Sequence, residues 1–213
     1  ILIQGSDISF AGLDTFLFSH GYSKDNIYDL NYIEKEYHDI NILKNWWGIK
    51  DRDTYKIFKE KITKLAKTKK PFFAIMFTID THRGIFPKAP NTPFEDKVKN
   101  TIYEASLLAQ DFIDWVQVQK FARNTTIVIL GDHLRVYDDY GKFVNDYKEG
   151  ERRIYNVFIN PLVSPKNTNR TFTQMDMFPS LLESIGFKVK DGELGLGRSV
   201  FSENSTLSEK FGT

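Results

Sequence analysis

The sequence contains no cysteine, which excludes disulfide frameworks, thiolate metal sites and cysteine nucleophiles. It contains no apolar run that approaches the roughly 20 residues needed to span a bilayer. The sequence also lacks an excess of one charge, because 29 lysines and arginines balance 28 aspartates and glutamates and leave a net charge of +1. Bulk electrostatics therefore give no reason to expect a nucleic-acid partner.

The chain also lacks an initiator methionine and opens with Ile1-Leu2-Ile3-Gln4, which is typical of the end of a strand. We therefore expect these 213 residues to be a fragment, so the missing membrane segment says nothing about the parent protein. The composition is that of a globular protein, with 41% hydrophobic and 27% charged residues. Aromatic residues make up 15%, which is enough for a sizeable core.

Apolar periodicity predicts alternating helices and strands. The predicted helices run from Ser6 or Asp7 to Ser19 with Gly21 closing the end, and over residues 52–67, 97–121 and 174–185. The predicted strands cover residues 1–4, 72–77, 125–130 and 154–159. The run 72–77 is continuously apolar, which fits a strand buried on both faces, and residues 125–130 are predicted to form a second buried strand. This order predicts an α/β fold, a mainly parallel sheet with helices on both faces.

Two predicted strands end in polar residues of the kind that bind ligands, Asp80-Thr81-His82 and Gly131-Asp132-His133. Ligands of open α/β sheets bind at the carboxyl ends of strands. If the two strands are near neighbours, His82 and His133 face the same crevice. For His82 alone, a hydrogen-bonded turn residue is the other interpretation.

Asp132 and His133 offer a carboxylate oxygen and an imidazole nitrogen, which suit Zn²⁺, Mn²⁺ or a similar divalent ion. Neighbouring side chains of a regular strand point to opposite faces, so both can reach one ion only where the strand breaks. We expect Gly131 to supply that break, because glycine tolerates unusual backbone angles. The alternative interpretation is a turn aspartate beside a surface histidine.

Two further features have open interpretations. Trp46-Trp47-Gly48 fits either a sugar-stacking platform or packing in the core or a lid. Arg198, in the segment from Leu194 to Ser199, could bind phosphate through its charged fork. No P-loop and no Ser-His-Asp pattern is present.

Taken in order, several segments resemble the phosphoglycerol transferases of the alkaline phosphatase and sulfatase superfamily. The segments that carry the resemblance are Gly5 to Phe10, Trp47 to Asp51, Pro71-Phe72-Phe73, Thr78 to His82, Thr125 to Leu134 and Leu194 to Ser199. The branch that decorates periplasmic glucans is the most similar, and the lipoteichoic acid synthases are more distant. The resemblance covers nearly the whole chain and implies that residues 1–213 are the C-terminal portion of a sulfatase-like catalytic domain.

The resemblance implies a mechanism. A divalent ion, Mn²⁺ or Mg²⁺, activates a Thr or Ser hydroxyl, which attacks phosphatidylglycerol, and diacylglycerol leaves a covalent glycerophosphoryl-enzyme. A glycan acceptor then takes the phosphoglycerol. By the same resemblance, Asp132 and His133 are metal ligands and His82 binds the phosphoglycerol group of the substrate. Asp7 is a further candidate for substrate binding.

The chain also departs from the family pattern. The nucleophile and an acidic metal ligand are expected before Ile1, so the fragment alone is expected to be inactive. In the lipoteichoic acid branch a His, a Trp and an Arg follow the first strand, and in this chain Gln4, Ala11 and Leu13 occupy that region. The missing N-terminal segment is expected to anchor the protein in the inner membrane, with the catalytic domain in the periplasm or on the outer face of the plasma membrane.

Two other functions fit the same residues. A sulfatase or phosphodiesterase of the superfamily would use the same half of a metal site to hydrolyse its substrate. A non-catalytic carbohydrate-binding module would use the exposed aromatic residues instead.

Overall fold

The computed structural model describes residues 1–38, 44–45, 47–82, 93–134 and 153–212, and it confirms the predicted α/β class. The chain divides into two compact units, Ile1–Gln119 and Lys120–Thr213. Among the residues that the structure describes, no helix is both long and apolar enough to cross a membrane.

The first unit is built on a three-stranded parallel sheet with the strand order β2-β1-β5. Its described strands are β1 (Leu2–Gln4), β2 (Ile27–Tyr28), β3 (Lys44–Asn45), β4 (Gly48–Ile49) and β5 (Ile75–Phe77). Its described helices are α1 (Leu13–Ser19), α2 (Leu30–Glu36), α3 (Asp51–Lys67) and α4 (Lys97–Gln117), with 3-10 turns at Phe10–Gly12 and Lys24–Asn26. β3 and β4 form a separate antiparallel pair.

The central strand of this sheet is buried and its neighbour β5 is not. Leu2 pairs with Ile27 on one side and Ile75 on the other, and it packs in a core cluster with Ile8 and Leu17. In β5, Phe77 is 40% exposed. The prediction that this run is buried on both faces is therefore wrong: Ile75 and Met76 are half-buried, and β5 lies at the edge of the described sheet.

The first helix begins later than the sequence pattern predicts. The Asp7 carboxylate accepts from the backbone N–H of Ser9 at 2.8 Å and from its hydroxyl at 2.7 Å, which forms a local turn. The predicted helix cap at Ser6 or Asp7 is therefore wrong, and α1 starts only after Gly12. The predicted closure by Gly21 is confirmed, since this residue follows the last turn with a φ of +86°.

The two long helices of the first unit pack through aromatic residues. Phe112 of α4 stacks on Phe58 of α3 with ring centroids 5.3 Å apart, and the Tyr55 ring lies 5.7 Å away. Both helices match the predicted apolar periods, although α4 ends at Gln117. At its start, the Asp96 carboxylate accepts from two backbone amides, which caps the helix.

The second unit contains short antiparallel pairs. Its described strands are β6 (Ile127–Leu130), β7 (Asn156–Ile159), β8 (Glu193–Leu194) and β9 (Gly197–Arg198), and its helices are α5 (Met177–Ser184) and α6 (Leu207–Phe211). Its described 3-10 turns are Ala122–Asn124, Gln174–Asp176 and Lys190–Gly192. β6 pairs with β7 in the antiparallel sense, which differs from the parallel arrangement expected for these strands. The prediction that the run 125–130 is buried is also wrong, since Leu130 is 41% exposed.

Candidate functional site

Asp7 lies in the loop that follows β1. Because β1, β2 and β5 are parallel, the loops after them leave the same edge of the sheet. The second carboxylate oxygen of Asp7 accepts from the Asn31 side chain at 3.2 Å, and Asn31 lies in α2, just after β2. The hydrogen bonds from Ser9, followed by the one from Asn31, lower the pKa of Asp7. Asp7 is thus a half-buried, ionised carboxylate at this edge, and its role in substrate binding stays a prediction.

Two glycines bring the turn at Trp47 against the loop after β1. The backbone N–H of Ile49 donates to the Gly5 carbonyl at 2.9 Å. Gly48 has a φ of +145°, and a Cβ atom there would lie 2.0 Å from the Gly5 carbonyl oxygen. A Cβ at Gly5 would lie 2.3 Å from the Ile49 carbonyl oxygen. Both positions therefore require glycine.

Trp47 joins the Asp7 loop to the loop that carries His82. Its ring meets Phe10 edge-on with centroids 5.8 Å apart, and it meets His82 edge-on at 4.4 Å. The structure therefore places His82 and Phe10 against the same indole ring, and Phe10 lies three residues after Asp7. His82 itself is exposed, whereas Trp47 is half-buried. Trp46, the other residue of the proposed stacking platform, lies outside the described residues.

Two buried aspartates hold the start of α3 against the loop after β5, and we call them the carboxylate clamp (Asp51 and Asp80). The Asp51 carboxylate accepts from the backbone N–H of Ile79 at 2.7 Å and of Asp80 at 3.1 Å. In return the Asp80 carboxylate accepts from the Asp51 backbone N–H at 2.9 Å. Both side chains are almost fully buried. His82 follows the clamp by two residues, in a turn closed by its own N–H on the Ile79 carbonyl.

The clamp places two carboxylates in a poorly solvated environment. Burial, and then the charge of Asp80, raise the pKa of Asp51 to about 7, against the lowering effect of its two amide bonds. Burial and the charge of Asp51 in turn raise the pKa of Tyr55 to about 12. Asp51 is therefore a carboxyl group that titrates near neutral pH.

In the second unit, Asp132 and His133 lie beside each other directly after β6. The His133 Nε2 atom is 3.6 Å from an Asp132 carboxylate oxygen, and the other oxygen accepts from the His133 backbone N–H at 2.9 Å. His133 Nδ1 lies 2.8 Å from the Leu134 carbonyl. Because a carbonyl only accepts, Nδ1 must carry the proton, which leaves the lone pair of a neutral ring on Nε2, the atom that faces Asp132.

The break in the strand does not come from unusual backbone angles at Gly131. This glycine has no positive φ, and its N–H continues the ladder by donating to the Tyr155 carbonyl at 2.9 Å. The prediction that unusual backbone angles at Gly131 break the strand is therefore wrong. The two side chains converge instead because the Asp132 carboxylate caps the amide of its neighbour.

The donor set of Asp132 and His133 fits part of a divalent metal site. Their side chains are 78% and 59% exposed, and they offer one carboxylate and one imidazole to a common point. Within the described ranges, no three histidine, cysteine or acidic side chains are grouped so as to hold a metal. The role of this pair as ligands, and the prediction that His82 and His133 face one crevice, stay predictions.

Arg198 is engaged within its own unit. Its guanidinium donates to the Glu193 carboxylate, and its backbone N–H donates to the buried Asp176 carboxylate at 2.7 Å. The segment from Leu194 to Ser199 is thus tied to the 3-10 turn Gln174–Asp176.

The sequence analysis did not predict the carboxylate clamp, although Asp51 ends the Trp47 to Asp51 segment and Asp80 lies two residues before His82.

Similar proteins were found by sequence and by structure. The family model described as Sulfatase matches residues 1–187. Phosphoglycerol transferase I from Citrobacter koseri is 27% identical over 217 residues, and the protein of that name from Escherichia fergusonii is 28% identical over 218 residues. Each match covers 98% of this chain, and the chain spans only 27% of the length of these relatives.

Two solved structures share the fold. One is a protein in the alkaline phosphatase superfamily from Vibrio parahaemolyticus, with a TM-score of 0.62 and 24% identity over 89% of this chain and 45% of that one. The other is the lipoteichoic acid synthase LtaP from Listeria monocytogenes, with a TM-score of 0.64 and 16% identity over 94% of this chain and 52% of that one. Because the family model accounts for most of its length, the chain belongs to the Sulfatase family.

Proposed function

We propose that the protein transfers phosphoglycerol from phosphatidylglycerol to a glycan acceptor. The observation that carries this proposal is the similarity to proteins named phosphoglycerol transferase I, which runs through 98% of the chain. The Sulfatase family match supports the reaction class, in which a group is displaced at phosphorus or sulfur.

In this proposal Asp132 and His133 hold a divalent ion, Mn²⁺ or Mg²⁺. Such an ion, when bound, stabilises developing negative charge at the phosphoryl centre. Two features of the pair support the assignment. The Nε2 lone pair of His133 faces the Asp132 carboxylate, and both side chains are open to solvent.

Asp7 and His82 recognise the phosphoglycerol group in the same proposal. An imidazole N–H of His82 donates to a phosphate or glycerol oxygen, and its contact with Trp47 restricts the ring. The Asp7 carboxylate, held by Ser9 and Asn31, accepts from a glycerol hydroxyl. Both residues follow parallel strands at one sheet edge, which is where ligands of such sheets bind.

The reaction proceeds in two displacements. A Thr or Ser hydroxyl, which we assign to no residue of this chain, attacks phosphorus, and the bond to the diacylglycerol oxygen breaks. A glycan hydroxyl then attacks the glycerophosphoryl-enzyme and restores the nucleophile. A lipid donor and a glucan acceptor place the catalytic domain in the periplasm, or on the outer face of the plasma membrane, with the protein attached to that membrane.

The test is a transfer assay with the complete protein, phosphatidylglycerol labelled in its glycerol headgroup, a glucan oligosaccharide and Mn²⁺. We expect labelled glucan and free diacylglycerol in equal amounts. His82→Ala should reduce transfer at least about tenfold through lost phosphate contacts. The matched control is His20→Ala, because His20 contacts the Phe16 carbonyl at the end of α1.

Three results would count against the proposal. Release of free glycerol phosphate without labelled glucan would indicate a phosphodiesterase. Cleavage of an aryl sulfate in place of the lipid would indicate a sulfatase. Glucan binding with no lipid turnover would indicate a carbohydrate-binding module.

A further inference from the structure

The loop that carries His82 is held from a second segment at two points. Asp51 accepts from the amides of Ile79 and Asp80, and Trp47, four residues before Asp51, contacts the His82 ring. The segment from Trp47 to Asp51 therefore meets the segment from Ile79 to His82 once through backbone hydrogen bonds and once through rings. The first contact is buried and the second is at the surface.

We propose that Asp51 is a positioning residue that fixes the loop bearing His82 so that the imidazole faces the phosphoglycerol group. The inference rests on the proposed function, because it concerns the same site. Asp51 touches no substrate in this account. It acts by holding two consecutive backbone amides, and thus the direction in which the chain leaves β5 toward His82.

In the ionised form that prevails above a pH of about 7, Asp51 supplies two accepting oxygens, which an amide does not have. Both oxygens of Asp51 accept from backbone N–H groups, one at 2.7 Å and one at 3.1 Å. An asparagine has one accepting oxygen, so its NH₂ group would face a backbone N–H, two donors without an acceptor between them. The loop must then shift to relieve this contact, and a shift of the backbone at Asp80 moves the His82 ring with it.

Tight coupling within the turn carries the effect to His82. The His82 N–H donates to the Ile79 carbonyl at 3.0 Å, and Asp51 holds the N–H of the same Ile79. Residues 79–82 therefore move as one turn. A helix N-terminus is a firm support for such a turn, because α3 is 17 residues long and packs on α4 through aromatic rings.

The test uses Asp51→Asn, with Asp53→Asn as the matched control. Asp53 lies in the same first turn of α3, is also buried, and accepts from the Lys56 ammonium group at 2.6 Å. The first readout is the NMR signal of the His82 ring in the complete protein, which the Trp47 ring current shifts and which is assigned by its loss in His82→Ala. We expect Asp51→Asn to move this signal in the same direction as Trp47→Leu. The control should leave it in place, and neither change should move the signals of His20 and His38.

The second readout is kcat/KM for phosphatidylglycerol in the complete protein. Asp51→Asn should lower it about tenfold, the order found when a supporting residue behind a ligand-binding group is removed. The double variant with His82→Ala should be no slower than His82→Ala alone, because Asp51 acts through His82. A merely structural role would lower the activity of both backgrounds equally. If Asp51→Asn does not fold, Asp80→Ala removes the acceptor of the Asp51 N–H and tests the same contact.

The outcomes separate the two proposals. An unmoved His82 signal in Asp51→Asn, or additive losses in the double variant, would overturn the positioning role. A shifted signal together with full transfer activity in His82→Ala would leave the loop contact standing and refute the assignment of His82 to substrate binding.

Discussion

Asp51 and Asp132 both follow the end of a strand, but they differ in burial and in hydrogen bonding. In the first unit, Asp51 is 1% exposed and both carboxylate oxygens are used by backbone amides. In the second unit, the Asp132 side chain is 78% exposed and lies beside an imidazole. The comparison teaches that a carboxylate used for positioning is buried and saturated with hydrogen bonds, whereas one available to a cation stays open to solvent. The predictions below test the buried contacts of the two units first and the exposed pair afterwards.

The close approach of Gly48 and Gly5 should be the most sensitive point of the first unit. Gly48→Ala would place a Cβ atom 2.0 Å from the Gly5 carbonyl oxygen, at a φ that alanine rarely adopts. We therefore expect a loss of about 3 kcal/mol or more in unfolding free energy. Gly12→Ala is the control, because its φ is +74° but nothing lies within 4 Å of the added atom. It should cost only about 1 kcal/mol.

Denaturation followed by tryptophan fluorescence measures this difference. All three tryptophans fall within residues 1–119, so the signal reports on the first unit. Equal losses for the two variants would show that the contact between Gly48 and Gly5 is looser than described.

The second unit has a buried carboxylate of its own, and it should behave like Asp51. Asp176 is 2% exposed and accepts from the backbone amides of Thr173 and Arg198, both at 2.7 Å. We expect Asp176→Ala to cost about 2 kcal/mol, because it leaves these donors unpaired. Faster hydrogen exchange at the Arg198 amide would show the loss locally. Unchanged exchange there would mean that this carboxylate does not hold the segment.

The raised pKa of Asp51 makes the stability of the first unit depend on pH. Its folded pKa of about 7 lies above its ordinary value of 3.8, so between these values the folded state keeps a proton that the unfolded chain has released. The unfolding free energy should therefore fall as the pH rises from about 4 to about 7, by on the order of 1 kcal/mol per pH unit. The contribution is fully present below pH 4 and lost above pH 7.

Urea denaturation at several pH values tests this dependence. Asp51→Asn should flatten the decline, whereas Asp53→Asn retains Asp51 and should keep it. Parallel declines in the wild type and Asp51→Asn would assign the dependence to other groups.

The exposed pair of the second unit should matter least for folding. Asp132→Ala and His133→Ala remove side chains that are mostly in solvent, so we expect changes of less than about 0.5 kcal/mol in unfolding free energy. Thermal denaturation followed by circular dichroism measures them. A large loss in either variant would mean that the pair has a structural role.

Local sequence patterns predicted much of this fold. The apolar period of α3 and α4 placed both helices, because each buries one face against the other and the period records that face. The strand ends at Phe77 and Leu130 were also predicted correctly, since an apolar run that stops at polar residues marks the place where a strand leaves the sheet.

Other features depend on tertiary contacts that no local pattern contains. The run ending at Phe77 has the composition of a buried strand, but Phe77 is exposed, because burial depends on which elements pack on the strand and not on its composition. The antiparallel pairing of β6 with β7 joins residues far apart in the sequence, such as Val128 and Phe158. The clamp joins Asp51 to amides 28 and 29 residues away, so only the folded backbone reveals that this carboxylate holds the loop of His82.

The most direct test of the account is the affinity of the complete protein for Mn²⁺, measured by isothermal titration calorimetry. We predict that Asp132→Ala and His133→Ala each weaken binding at least about tenfold, since each removes a ligand. The control Asp114→Ala removes an exposed carboxylate that accepts from Gln110 and should bind like the wild type. Equal Mn²⁺ affinity in all four proteins would contradict the assignment of Asp132 and His133 as metal ligands.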